Sequence, residues 1–255
     1  MQVRILASTP NALDILLGTK SARMRGADPA TMTEAEKQDH YRYMLDTIKS
    51  PFEFVDYIFE ISGVSKNFTH QLVRTRTGAY QQETSRALDM SDCETITPEG
   101  LEGRALELFL DGVADANCNY ANLIAAGAQL QDARAILPSN MATKIQAKFN
   151  LRTLSETAKN RLCTRTAGEY QNVFRLMRAA VLELHPWADS LLQVACVATG
   201  QCAFPRHAMP TEDKPGCTFW RPWMDLRDEK DELRKVFWAT DLTTNNPIAN
   251  NGKSI

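Results

Sequence analysis

Between Thr69 and Arg86 the chain reads T-H-Q-L-V-R-T-R-T-G-A-Y-Q-Q-E-T-S-R, with arginines at 74, 76 and 86. Arg74 and Arg76 bracket one residue, so at a helix end their side chains leave different sides of the backbone. Such a pair can hold two anions, or two ends of one ligand. Arg86 closes a loop containing Gly78, Gln81, Gln82, Glu83, Thr84 and Ser85. Planar guanidinium forks match phosphates and pyrimidine carbonyls. Small hydroxyl and amide side chains on a loop allow close backbone approach to a ligand. A bare R-x-R is usually a solvated helix end; the polar loop closed by a third arginine singles this one out.

Other reactive side chains read as structural. Cys163 lies two residues beyond Arg161, but no His or helix start beside it in the sequence would activate its thiol, so a buried cysteine is expected. Cys196, Cys202, His207 and Cys217 lack the C-x-x-C spacing of a zinc knuckle, and no metal site is expected. His70 reads as a packing or hydrogen-bonding residue, and the charged run Arg227 to Lys235 as a solvated helix face.

A chain of 255 residues can bury a full core. Its net charge of −2 provides no basic field for nucleic acid. Six cysteines are too few for a disulfide scaffold of this size. No apolar run approaches a membrane span, the N-terminus lacks a signal-peptide layout, and there is no internal repeat, so a soluble cytoplasmic protein is expected.

The elements that must carry the arginines follow from periodicity. Met1 to Ala7 reads as a strand, Asn11 to Gly18 as a helix ended by its glycine, and Thr33 with Glu36 as a capping box for a helix through Ile48. Val55, Tyr57, Phe59 and Ile61 alternate with Phe54, Asp56, Ile58 and Glu60 in a strand with one strongly apolar face, ended by Gly63. Ser65 caps the next helix, which buries Phe68 and Leu72 and delivers Arg74 and Arg76 at its far end. Thr97–Pro98–Glu99 reads as the start of a long amphipathic helix ending at Gly127. A short helix with Arg134 stops before Pro138. Ala142 to Asn150 reads as a strand with a basic outer face, and Leu151 to Arg161 and Thr166 to Leu184 as helices. The pattern weakens from Trp187, and the Asn- and Thr-rich tail after Asp241 reads as disordered. Runs of helix between strands predict an α+β fold, a sheet covered by helices.

The arginine stretch resembles the signature of the flavin-dependent thymidylate synthases: R-H-R, seven residues, then S. Here it is R-T-R, T-G-A-Y-Q-Q-E, then Thr84, with Thr75 at the histidine position. Further segments are similar to that family in the same order. They are P-F-E at Pro51 to Glu53, G-V-S-x-x-x-x-H-Q-L-V-R at Gly63 to Arg74, and A-R-x-I-L-P at Ala133 to Pro138. N-x-R at Asn150 and Arg152 and R-L-C-T-R at Arg161 to Arg165 follow. Cys196, Cys202 and Cys217 are similar to a cysteine-containing C-terminal segment of longer members.

The resemblance covers residues 1–220 and leaves 221–255 as a C-terminal extension. It implies a curved, mainly antiparallel sheet covered by helices and a homotetramer with sites shared between subunits. It implies FAD as cofactor, with NADPH and methylene-tetrahydrofolate as co-substrates and a pyrimidine deoxynucleotide monophosphate as acceptor. Ser50, Glu53, Arg74, Arg76, Asn150, Arg152 and Glu156 would contact the flavin. Gln71, Arg74, Gln82, Glu83, Thr84, Ser85, Arg86, Arg134 and Arg161 would hold the nucleotide, with Arg161 and Thr84 in catalysis. The implied reaction is dUMP to dTMP. Thr75, Ala87 and Ala167 replace larger residues of the family pattern, His, Tyr and Gln. That leaves a hydroxymethylase or methylase acting on dUMP or dCMP, or a nucleotide-binding member without turnover, as alternatives.

Overall fold

The computed structural model describes residues 1–166, 168–212, 216–219 and 230–239. Among them four strands, β1 (Gln2–Ser8), β2 (Asp56–Ser65), β3 (Ala79–Gln82) and β4 (Ala142–Asn150), form one sheet in the order β1-β2-β4-β3. Every neighbouring pair is antiparallel. The helices are α1 (Ala12–Met24), α2 (Glu34–Leu45), α3 (Lys66–Leu72), α4 (Gly103–Ala125), α5 (Leu130–Ala133), α6 (Leu151–Arg161), α7 (Gly168–Leu184), α8 (Ala195–Thr199), α9 (Pro205–Ala208) and α10 (Lys230–Ala239). The α+β architecture expected from the sequence is the one observed.

One sheet face carries the core. Tyr57, Phe59 and Ile61 of β2 and Ile145 and Ala147 of β4 are wholly buried. They join Tyr170, Val173, Phe174, Met177 and Val181 of α7 in one cluster. On the opposite face Lys144, Gln146 and Lys148 are exposed, as the strict alternation of β4 requires. Cross-strand ion pairs lie there, Arg4–Glu60 at 2.8 Å and Lys148–Asp56 at 2.7 Å.

The ends of several elements differ from expectation. α1 runs past Gly18 to Met24 and ends on Arg25 in the left-handed region, where the Gly26 N–H returns to the Ser21 carbonyl. α2 has the expected capping box but stops at Leu45, short of Ile48. Gly63 does not end β2. It sits at φ 64° in a register shift between Ser62 and Val64, and a Cβ there would lie 2.9 Å from the Met1 nitrogen. A positive φ and that close approach both call for glycine.

Thr97–Pro98 does not start α4, which begins at Gly103. Thr95 bridges Met141 and the Ile96 N–H bonds the Asn140 carbonyl, so the capping residues are held extended against β4. β3 falls in what reads as a loop: its apolar alternation is weak, and only pairing with β4 makes it a strand. Leu151–Arg161 and Ala142–Asn150 carry their expected bounds. Beyond Trp187, where the pattern weakens, α8 and α9 form without having been expected, and α10 overlaps the charged run read as a helix face. Ala167, the tail after Asp241 and most of the 221–255 extension lie outside the described residues. Among the described residues no helix is long and apolar enough to cross a membrane.

Candidate active site

Ser65 sets the start of α3. Its Oγ accepts the Phe68 N–H at 3.0 Å, the N-cap that the sequence predicts. Its own N–H and hydroxyl donate to the two carboxylate oxygens of Glu169 in α7, at 2.7 and 2.6 Å. α3 ends at Leu72 and the chain turns sharply through Arg74 and Arg76 into β3. The Thr75 N–H bonds the Leu72 carbonyl and the Gly78 N–H bonds the Thr75 carbonyl, both at 3.0 Å. The Tyr80 hydroxyl folds back over this turn, 2.6 Å from the Thr75 carbonyl and 3.1 Å from that of Leu72. Burial pushes the Tyr80 pKa up to about 12, so it stays a donor at neutral pH. Gly78 lies beneath: a Cβ there would sit 2.5 Å from the Tyr80 hydroxyl and 2.7 Å from the Phe149 ring.

Arg74 and Arg76 are exposed on this turn. Its far side is tied to α6, where the Thr153 hydroxyl donates to that of Thr77 at 3.0 Å. Asn150 caps α6, its side-chain oxygen accepting the Thr153 N–H at 2.8 Å, which leaves its NH₂ for other partners. Arg152 pairs with Glu53 at 2.6 Å, both half exposed. Ser50 opens the 3-10 turn Ser50–Phe54 that carries Glu53. Glu156 pairs with Lys159 at 2.9 Å, one turn further along α6. The residues expected around a flavin therefore share one end of the sheet.

Gln82, Glu83, Thr84, Ser85 and Arg86 lie at the opposite end of β3. Gln82 donates to the Thr143 hydroxyl at 3.4 Å, and the Glu83 N–H bonds the Lys144 carbonyl at 2.9 Å. The Thr84 hydroxyl accepts the Arg86 N–H at 3.1 Å, fixing the turn that exposes Arg86. Buried Ser85 accepts from Lys66 Nζ at 2.7 Å. Burial lowers the Lys66 pKa, and the nearby Arg134 charge adds to the lowering. Lys66, Ser85 and Arg134 thus form a cationic cluster with a hydroxyl donor. Sequence reasoning missed Lys66. A cation in the first turn of a helix opposes the helix dipole, a placement that a nearby anion would offset, and that was the available signal. The side chain of Glu83 lines a separate cleft with Glu60, Asp89, Asp92 and Glu94.

Arg161 ends α6, its guanidinium 4.1 Å from the centre of the Tyr170 ring. That ring meets Phe68 edge-on at 5.1 Å. The Tyr170 hydroxyl is buried without a well-formed hydrogen bond, although the side chains of Thr75 and Arg161 stand beside it. Burial raises its pKa and Arg161 partly offsets the rise. A cavity of about 610 Å³ opens next to these residues, lined among others by Ser65, Asn67, Gln71, Asn140, Glu169 and Tyr170. Of the residues expected at the site, only Gln71 lines it. No described carboxylate pairs with Arg74, Arg76, Arg86 or Arg161. Unpaired guanidiniums beside hydroxyl and amide donors are suited to bind anions and carbonyl-rich rings.

Sheet, helices and arginine turns together define an α+β protein with arginines unpaired to any described carboxylate at both ends of one short strand. The family described as thymidylate synthase complementing protein matches residues 6–187. A flavin-dependent thymidylate synthase of Sulfurisphaera tokodaii is 32% identical, over 73% of this chain and 75% of its own length. One from Pyrococcus furiosus is 33% identical, over 66% of this chain and 71% of its own. The solved structure of thymidylate synthase X from Helicobacter pylori, with FAD and dUMP, covers 75% of this chain and 99% of its own. Its TM-score is 0.61 at 18% identity, which establishes a shared fold. The chain belongs to the flavin-dependent thymidylate synthases, a family of transferase enzymes, as the signature resemblance implied.

The arginine turn rests on Gly78. Gly78→Ala is expected to lower unfolding stability by about 1–3 kcal/mol, because the added methyl must displace Tyr80 and Phe149. Urea denaturation checks the loss, and hydrogen exchange at 72–82 should rise with it; unchanged stability and exchange would remove Gly78 as the constraint.

Proposed function

We propose that this chain transfers one carbon from methylene-tetrahydrofolate to C5 of dUMP and yields dTMP, with FAD as cofactor and NADPH as reductant. The observation that carries the reading is the set of carboxylate-free arginines at the two ends of β3, each beside neutral donors. The H. pylori relative was solved with FAD and dUMP, and the residues of this chain fit both groups. At the α6 end, Arg74 and Arg76 suit a pyrophosphate, and Ser50, Glu53, Asn150, Arg152 and Glu156 supply the surrounding polar groups. The glycine cradle at Gly78 keeps that turn tight. At the other end Lys66, Ser85, Arg86 and Arg134 suit a nucleotide phosphate, with Gln71, Gln82, Glu83 and Thr84 around it.

Reduced flavin, when bound, supplies hydride, which is the step the protein side chains cannot perform. The chain's own part is binding and orientation. Arg161, steadied by the Tyr170 ring, is placed to stabilise negative charge developing on a base carbonyl. Thr84 fixes the turn of Arg86 and so positions the phosphate. Phosphate clamping at Lys66 and Arg134 holds the base at a set distance, an entropic contribution to rate. We further propose a homotetramer with shared sites, because the arginine turns face outward and leave much of each ligand uncovered by one chain. A cytoplasmic site of action fits these substrates.

Incubating the protein with dUMP, methylene-tetrahydrofolate, NADPH and FAD in oxygen-18 water is expected to give unlabelled dTMP by mass spectrometry. A hydroxymethyl nucleotide carrying the label, or turnover of dCMP alone, would replace the reading. Arg76→Ala is expected to weaken FAD by about 1.5–3 kcal/mol for each charge-assisted bond lost, read by fluorescence titration; equal affinities would sink the flavin assignment. Light scattering at assay concentration should return a tetramer, and an active monomer rules out shared sites.

A further inference from the structure

Three successive residues in the first turn of α7 hold three other parts of the fold. Glu169 takes both polar groups of Ser65, the backbone N–H on one carboxylate oxygen at 2.7 Å and the hydroxyl on the other at 2.6 Å. The centre of the Tyr170 ring lies 4.1 Å from the Arg161 guanidinium, and the ring meets Phe68 edge-on. The buried Gln171 amide donates to the Leu162 carbonyl at 3.0 Å, in the turn that follows Arg161. One helical turn thus ties the start of α3 to the end of α6.

The pairing of Glu169 with Ser65 asks more of the side chain than a helix cap does. Ser65 is buried and already caps α3 with its own Oγ, on the Phe68 N–H at 3.0 Å. Carboxylates alone among side chains offer two acceptor oxygens and no donor. Both bonds are short, as bonds to an ionised acceptor are. Two bonds to one residue fix its orientation as well as its distance. No described Lys, Arg or His forms an ion pair with this carboxylate, so its charge serves Ser65 and not a cation.

The residues that follow each partner show what the tie controls. Lys66, next after Ser65, meets Ser85 at 2.7 Å in the cluster suited to a nucleotide phosphate. Tyr170, next after Glu169, lies against the guanidinium suited to a base carbonyl. We propose that Glu169 is a positioning residue that sets the span between Lys66 at the phosphate and Arg161 at the base. The inference rests on the dUMP reading above and deepens it. Glu169 acts through Ser65 on one side and through Tyr170 on the other. With the tie weakened, the phosphate cluster still binds, but the base no longer meets Arg161 in register. A misplacement of about 1 Å can lower a rate by about a hundredfold.

The test compares dUMP with deoxyribose 5-phosphate, which has the phosphate and lacks the base, by calorimetric titration of the full-length protein with FAD added. Wild type should bind dUMP about tenfold or more tightly than deoxyribose 5-phosphate, through its bonds to the base. Glu169→Gln replaces one acceptor oxygen by an NH₂ group. Its affinity for deoxyribose 5-phosphate should stay within about twofold of wild type, while its preference for dUMP falls to about twofold or less. Its kcat at saturating dUMP should fall by about ten- to a hundredfold. Glu169→Asp keeps two acceptors on a side chain one methylene shorter. It should fall between the two, and it is measured alone if Glu169→Gln does not fold. A preference for dUMP kept at the wild-type value, in a protein whose wild type shows one, overturns this inference and leaves the dUMP reading standing. Equal losses for both ligands, or failure of both variants to fold, would make the pair a structural tie and overturn it too. Wild type that binds the two ligands alike removes the dUMP reading and this inference together.

Discussion

The antiparallel pairing of β2 with β4, from Asp56↔Asn150 to Ser65↔Ala142, decides where ligands can bind. At one end of this ladder β2 passes into α3; at the other β4 passes into α6. α3 carries the chain back, so the turn at Arg74 and Arg76 arrives beside the first residues of α6 and is fastened there through Thr77 and Thr153. β3 then runs antiparallel to β4, from Ala79 opposite Lys148 to Gln82 opposite Ile145. That returns the chain to the start of α3, where Lys66 meets Ser85. The seven residues between Arg76 and Thr84 are thus one turn and one short strand. Four strand residues span about 13 Å, which is why two arginine groups near in sequence stand apart in space.

The same pairing supplies the rigidity that exposed arginines lack. Tyr57, Phe59, Phe149 and Tyr80 touch in sequence along the buried face, with ring centres 6.1, 6.4 and 5.7 Å apart. Tyr80 ends this row, and its hydroxyl is the one that closes the arginine turn. A group buried for packing therefore also fixes two cations at the surface. Unpaired guanidiniums add little to stability on their own, and holding like charges near one another works against it. Lys66 shows the tension, its charge disfavoured by burial and by Arg134. Such an arrangement makes physical sense for binding anions rather than for holding the fold.

What the sequence revealed and what it hid divide along local and non-local lines. β4 and α6 were legible to the residue because strict alternation gives way at Asn150, a helix cap. The capping box at Thr33 and the cap at Ser65 are equally local. Gly63 misled because a bulge and a chain end need the same glycine, and only the Met1 backbone pressed against it distinguishes them. Thr97–Pro98 carries a sound capping pattern, but the preceding Thr95 and Ile96 are tied to Met141 and Asn140 and α4 starts later, at Gly103. β3 exists only by pairing. The family motifs named most of the arginines, yet Lys66, Tyr80 and Tyr170 became visible only when α3, β3 and α7 were brought together.

The first turn of α7 joins the two halves of this arrangement. Glu169 accepts both polar groups of Ser65, the residue that starts α3 and so sets the path of the arginine turn. Tyr170, next in sequence, lies under the Arg161 guanidinium and against Phe68 of α3. A shift of this turn must therefore move the start of α3 and the guanidinium of Arg161 together. Thr75, at the signature position where the family pattern has histidine, stands beside the Tyr170 hydroxyl. A threonine there fills less space than an imidazole and still brings a hydroxyl to the side of Tyr170. Through the Tyr170 side chain, Thr75 and Arg161 therefore share one neighbour. The departure from the signature thus lies against the same tyrosine that carries the Arg161 guanidinium.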